Sequence, residues 1–271
     1  MNNTFALLSA GLVALSAGSA RADQFTVLGT SASYAVLGAS TVTNIDSTVL
    51  SGNLGLYPGT SITGFPPGIV INGATYSGPG PAATAQADAL AGYTYLQGLA
   101  PTDTLTGQDL GGLVLTPGVY FFTATAQLTG ALTLNFEGQN NANIVFQIGS
   151  TFNTAADSTV TVINQGLDDN VYYQVGSSAT LGAGTVFAGD LLASASVGLA
   201  TGVDIACGNV IALNAAVTLD NNTITTCTST GSDVTPTSTT GPGTTPEPQS
   251  LWLVATGLLG GRRLLRRRRA A

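Results

Sequence analysis

Histidine is absent from the 271-residue chain, and basic residues are confined to its ends: all seven are arginines, Arg21 and six that follow Gly261. Fourteen carboxylates oppose them, and all but Asp233 and Glu247 lie between residues 23 and 227. The central domain therefore holds no cationic side chain. Nucleic acid is excluded as a partner, because phosphate neutralisation needs Lys or Arg, and anionic membranes and acidic polysaccharides are disfavoured on the same ground. A nucleophilic triad cannot be assembled without an imidazole base. Two cysteines with no histidine make a poor zinc site, and the aspartates follow neither the EF-hand loop nor the repeated calcium-binding nonapeptide. No metal, cofactor or enzymatic activity is expected. A carbohydrate-active rival would draw its acid/base set from Asp168, Asp169 and Asp190, but the first two sit in "NQGLDDNV", where Asp is a turn residue.

The ends read as processing signals. "FALLSAGLVALSAGSA" is an apolar core closed by Ala20-Arg21-Ala22, an A-x-A site. Residues 1–22 are expected to be a secretory signal peptide cut after about Ala22. In an exported protein Cys207 and Cys227 are expected to pair. At the other end, residues 228–245 are rich in Ser, Thr, Pro and Gly without apolar anchors, the composition of a disordered linker. Pro246-Glu247-Pro248 follows, then the apolar stretch from Leu251 to Gly261, then "RRLLRRRR". That stretch is well short of the roughly 20 apolar residues that span a bilayer, so transient membrane contact is expected, with the arginines on the cytoplasmic side. The tail, 246–271, resembles the PEP-CTERM sorting signal of Gram-negative bacteria. That resemblance implies recognition by an exosortase-type transpeptidase, cleavage near the motif, and release or attachment at the cell surface.

The remainder, 23–227, has the size of one domain. Short alternating runs such as "ALTLNF", "NIVFQIG", "STVTVIN" and "NVYYQVG" indicate strands. One stretch differs: Ala85, Ala89, Tyr93 and Leu96 fall on one helical face with Leu90 beside it, which predicts a helix over about 82–99 between Pro81 and Pro101. Beyond it the chain repeats itself. "IVFQIGSTFNTAADSTV" from Ile144 matches "VYYQVGSSATLGAGTVF" from Val171, and "AGDLLASASVGLATG" from Ala188 matches "CGNVIALNAAVTLDNN" from Cys207. Fixed-period similarity marks a stacked architecture. The fold class is therefore all-β, a β-solenoid of three-strand coils with one long helix alongside. Val145, Ile148, Val160, Val162, Tyr173, Val175, Phe187, Leu192, Val197, Leu199, Ile205, Ile211, Val217, Leu219 and Ile224 are expected to point inward. Cys207 and Cys227 stand about one coil apart, which brings them within disulfide reach.

The order "FTVLGTSASYAVLGASTVTN", "STVLSGNLGLYPGTSITGFPPG", helix, "LGGLVLTPGVYFF", "NVYYQVGSSATLG" and "CGNVIALNAAVTLDNNTIT" resembles the microbial ice-binding protein family, over Gln24 to Thr226. The resemblance implies a discontinuous right-handed β-helix in which N-terminal strands complete coils begun by the C-terminal segment, and a flat exposed face that adsorbs to ice. Some bacterial members carry a loose T-A/G-x-T/N motif once per coil. Carried onto this chain, the face would comprise Thr154, Thr159, Ala183, Thr185, Thr201, Asp204, Asn221 and Thr223. A row of Thr, stiff at χ1, with Ala and Gly between would form a level array of methyls and hydroxyls with little side-chain entropy to lose. The partner would be an ice crystal surface, and the alternative role is a cell-surface or matrix adhesin of the same fold without ice activity.

Overall fold

The computed structural model describes residues 27–227. The segments expected to be a signal peptide, a linker and a sorting tail lie outside the described residues. The described chain winds through three parallel sheets in turn, one strand per sheet per coil. Sheet A has nine strands, sheet B seven and sheet C eight.

The coils are not stacked in chain order. Residues 34–77 form the coil Tyr34–Gly38, Thr41–Asn44 and Val49–Ser51, then the coil Asn53–Leu56, Ser61–Thr63 and Ile69–Ile71, then the strand Thr75–Ser77. The helix Pro81–Gln97 interrupts, and the solenoid restarts at Asp103–Thr104. It ends in Val210–Ala212, Val217–Leu219 and Thr223–Thr225, which pair in parallel with the first coil: Val36 opposite Val210, Val42 opposite Val217, Leu50 opposite Ile224. The N-terminal coils thus complete the stack begun by the C-terminal segment.

The repeat is visible in the register. Ile144 lies opposite Val171, as the first sequence match requires. Leu191 lies opposite Val210, the register of the second match, but Val197 lies opposite Val217, one position further on. The last coil accommodates its extra residue at the corner between sheets A and B.

Inside the solenoid, Leu, Ile, Val and Phe from the three sheets form one core, joined by a column of rings. Phe146 and Tyr173 stack at 4.6 Å between centroids, and Tyr173 meets Phe187 at 4.7 Å. Stacked rings at this spacing are favourable beyond the area they bury.

The central strands of sheet A are mostly apolar on both faces, with Gln147, Gln174 and Asp190 as buried polar exceptions. Its strands read as continuous hydrophobic runs, as covered parallel strands do. Val145, Leu192 and Ile211 point outward, not into the solenoid as their alternation suggests, and pack against Ala85, Ala89, Tyr93 and Leu96 of the helix. Leu90, expected beside the buried helical face, is exposed; the buried stripe runs instead through Ala82, Ala85, Gln86, Ala89, Gly92, Tyr93 and Leu96. Small residues dominate it because the helix lies close to the sheet and under the N-terminal segment: a Cβ on Gly92 would sit 2.2 Å from the Val27 carbonyl oxygen. Gln86 Nε2 donates to the carbonyls of Gly38 (2.8 Å) and Ala212 (3.2 Å), bridging the two segments where they join. Gln147 Nε2 donates to the carbonyls of Leu96 (2.7 Å) and Leu99 (2.8 Å) at the helix end.

Candidate functional site

Helix and N-terminal segment cover sheet A, so the open faces are those of sheets B and C. Sheet B presents two outward rows in register. The first runs Gln127, Asn153, Thr180, Gly198, Thr218, Thr43, Thr63, each opposite the next. The second, two positions earlier, runs Thr125, Thr151, Ser178, Ser196, Ala216, Thr41, Ser61; the first five stand immediately before their strands and the last two open theirs. Its hydroxyls bond sideways, Thr125 to Thr151 and Ser178 to Ser196, each at 2.9 Å. Between the rows the side chains Ala126, Phe152, Ala179, Val197, Val217 and Val42 are buried. Neither row contains a charge, and no strand pairing in the sheet has a register shift. Seven strands at the usual spacing give a plane about 29 Å long.

Sheet C is rougher. Its outward row Ala131, Thr159, Val186, Asp204, Thr223, Val49, Ile69 mixes apolar residues with a carboxylate. A bulge follows Phe187, where Ala188 faces Cys207.

The residues expected to form one face are spread over three places. Thr159, Asp204 and Thr223 share the sheet C row. Ala183, Thr201 and Asn221 lie at the corner between sheets B and C. Thr154 and Thr185 are not surface residues: both are buried, and their hydroxyls bond to each other at 2.8 Å. Thr154 Oγ1 also accepts the Gly182 amide (2.8 Å), and Thr185 Oγ1 donates to the Gly182 carbonyl (2.7 Å). They turn inward because the tight corner leaves backbone groups that water cannot reach and that need partners. The motif at this corner is turn chemistry. Asp157, Gly184, Gly202 and Asn221 have φ of 56°, 67°, 76° and 51°, the left-handed region that Gly, Asn and Asp tolerate. Thr201 Oγ1 donates to Asp220 Oδ2 across adjacent coils.

None of the residues in the two sheet B rows belongs to the expected set. Their signal is the period-two triplet with an inward apolar centre, buried in Thr41-Val42-Thr43 and Ser178-Ala179-Thr180 and half-buried in Ser61-Ile62-Thr63.

Among the described residues the acid/base candidates have other occupations. Asp168 occupies a turn at φ 57°. Asp169 accepts the amides of Ala142 (2.8 Å) and Gly166 (2.7 Å). Asp190 is buried on sheet A beside Tyr172, and its Oδ1 has no partner. Desolvation pushes its carboxyl up to about 7, against a smaller opposing effect of the Asn209 amide. Burial, followed by the neighbouring Asp190 and Tyr95, pushes the Tyr172 phenol up as well. The cysteines do meet: Cys207 and Cys227 form a disulfide, Cα to Cα 4.6 Å.

Residues 36–225 match the family model described as ice-binding-like. The chain belongs to that family. Relatives within it include an ice-binding protein of Nostoc sp. (strain HG1), 51% identical over 205 residues, which are 76% of each chain. An ice-binding protein of Leucosporidium sp. (strain AY30) is 31% identical over 65% of this chain and 74% of its own. A solved ice-binding protein from an Antarctic biological consortium superposes with a TM-score of 0.69 at 37% identity, over 73% of this chain and 89% of its own. The ice-binding protein of the Antarctic ascomycete Antarctomyces psychrotrophicus gives 0.70 at 36% identity, over 74% and 98%. Residues 244–269 match the PEP-CTERM protein-sorting motif.

Proposed function

We propose that the protein is an exported ice-binding protein that adsorbs to ice through sheet B and so inhibits ice growth or recrystallisation. The observation that carries this reading is the pair of uncharged outward rows, rich in Thr and Ser, on an unbulged parallel sheet. Ice is a rigid planar lattice of hydrogen-bonding groups. A surface that engages it must be level, must fix its hydroxyls in a repeat, and must not hold its own hydration tightly. Threonines pinned by cross-strand neighbours meet the first two conditions, and the absence of charge meets the third. Sheet C is the lesser candidate: Asp204 is strongly hydrated and the bulge breaks the plane. The relatives' names support the choice of ligand. The sorting match supports export to the cell surface through an exosortase-type enzyme, whereas the structural bonds of Asp169 argue against a catalytic role for that carboxylate.

The test compares Thr180→Tyr and Thr218→Tyr on sheet B with Thr161→Tyr on sheet C and Thr201→Tyr at the corner. The three strand threonines are exposed. Tyr suits a strand, so stability should move by only about 0.5 kcal/mol. Thermal hysteresis and ice-crystal shaping should be mostly lost in the two sheet B variants and retained in the others. Full activity in Thr180→Tyr and Thr218→Tyr with loss in Thr161→Tyr would move the face to sheet C.

A further inference from the structure

The C-terminal end of the described domain leaves it on the side away from sheet B. Each coil visits A, then B, then C, so the corner between C and A is the one opposite B. Cys207 closes the strand Asp204–Cys207 on sheet C, just before the chain turns to Val210–Ala212 on sheet A. Cys227 follows the strand Thr223–Thr225 closely and is bonded to Cys207. The C-terminal exit is thereby fixed at the C–A corner. Thr226 reinforces it, donating from its amide to the Ser51 carbonyl at 3.1 Å. At the other end, Val27 packs against Gly92 on the helix that covers sheet A.

This placement matters because of the partner. A small ligand could reach sheet B whichever way the domain faced. A block of ice is rigid and larger than the protein, so a tether emerging in or beside sheet B would set the anchoring surface against it. The disulfide adds a mechanical element. A pull on the tail at Cys227 passes through the S–S bond into the neighbouring coil. Without that bond it would peel Thr223–Thr225 away from Val49–Ser51, one of the three pairings that hold the N-terminal coils on the stack.

We propose that the protein works while tethered: its disulfide-fixed C-terminal corner attaches the domain to the cell envelope from the side opposite sheet B and leaves that sheet free to face outward, so that an attached copy grips bulk ice and joins the cell to it. This inference rests on the ice-binding reading above and on the sorting motif at residues 244–269.

The experiment couples the full chain to beads through one azide-bearing residue and a short handle. The handle is placed either at Thr228, directly after Cys227, or at a border of sheet B: at Asn214 on the A–B corner or at Ala156 on the B–C corner, both exposed. Each protein is first assayed for ice shaping in solution, and beads are then scored for retention on a single-crystal ice face under flow. Beads coupled at Thr228 should stay, and those coupled at Asn214 and Ala156 should be retained about tenfold less, because multipoint attachment fails when geometry forbids simultaneous engagement. Equal retention from all three sites, or loss of the Thr228 beads while that protein shapes ice in solution, overturns the orientation and leaves ice binding standing. If the unmodified chain does not shape ice in solution, the ice-binding reading itself falls, and this one with it.

Discussion

Asp190 is the residue where burial and charge conflict most openly. Its carboxyl sits between Tyr172 and the Asn209 amide, and desolvation raises it from 3.8 to about 7. Between those two values the folded chain holds a proton that the unfolded chain has released. Folding stability therefore falls as pH rises through this window, and the penalty is complete above about pH 7. Three units correspond to about 4 kcal/mol as an upper bound. Asp190→Asn should have a higher thermal midpoint than the wild type at pH 8, a similar one near pH 4, and a flatter profile between, as read by circular dichroism. The sequence offers Asp190 only as a carboxylate. Its burial comes from the packing around it, with Tyr172, one coil earlier in the chain, directly opposite it in the sheet. The same limit governs Thr154 and Thr185. Composition places Thr on a surface, but their pairing with each other and with Gly182 depends on two successive coils meeting at one corner.

At the scale of elements, the join between the N-terminal coils and the C-terminal segment depends on a few buried amides. Asn209 Nδ2 donates to the carbonyls of Ala32 (3.0 Å) and Tyr34 (2.5 Å) at the start of the first strand. Removing it leaves the buried Tyr34 carbonyl and the partly exposed Ala32 carbonyl short of a donor, at a cost of about 1–3 kcal/mol. Asn209→Ala should lower global stability by that amount. It should also speed amide exchange in Tyr34–Gly38 more than in Gly118–Phe122, far along the same sheet; hydrogen exchange read by mass spectrometry distinguishes this from uniform loosening. The helix is legible because Ala85, Ala89, Tyr93 and Leu96 keep a helical period, and the structure begins it at Pro81. Leu90 misleads, because what seats this helix is the closeness allowed by Ala and Gly rather than the bulk of Leu. The strands of sheet A are legible as strands but not in their facing, since Val145, Leu192 and Ile211 look inward-pointing in any single strand. The helix and the N-terminal segment above them give the outer face its apolar contacts.

For the whole molecule, the disulfide links the last coil to its neighbour across a sequence separation of 20. A cross-link of that length contributes about 3 kcal/mol by restricting the unfolded chain. The paired substitution Cys207→Ser with Cys227→Ser should lower the thermal midpoint by roughly 6–12 °C, while ice shaping in quiet solution is retained because sheet B lies on the opposite side. Calorimetry on the full chain checks the first outcome and ice-crystal morphology the second.

The amino-acid sequence by itself determined the winding. The self-matches that begin at Ile144 and Val171, and at Ala188 and Cys207, require stacked coils. Cysteines one coil apart allow a clasp, and the basic residues fall only at the two ends of the chain. Those are local or periodic properties, and a linear string carries them intact. Which face is level was decided only by the tertiary structure. Outward direction on sheets B and C follows from where each corner falls, and corner positions follow from left-handed residues such as Gly202 and Asn221 registering across coils. The order of stacking, with the first coil lying on the last, depends on backbone pairing between segments at opposite ends of the domain, which no local pattern encodes.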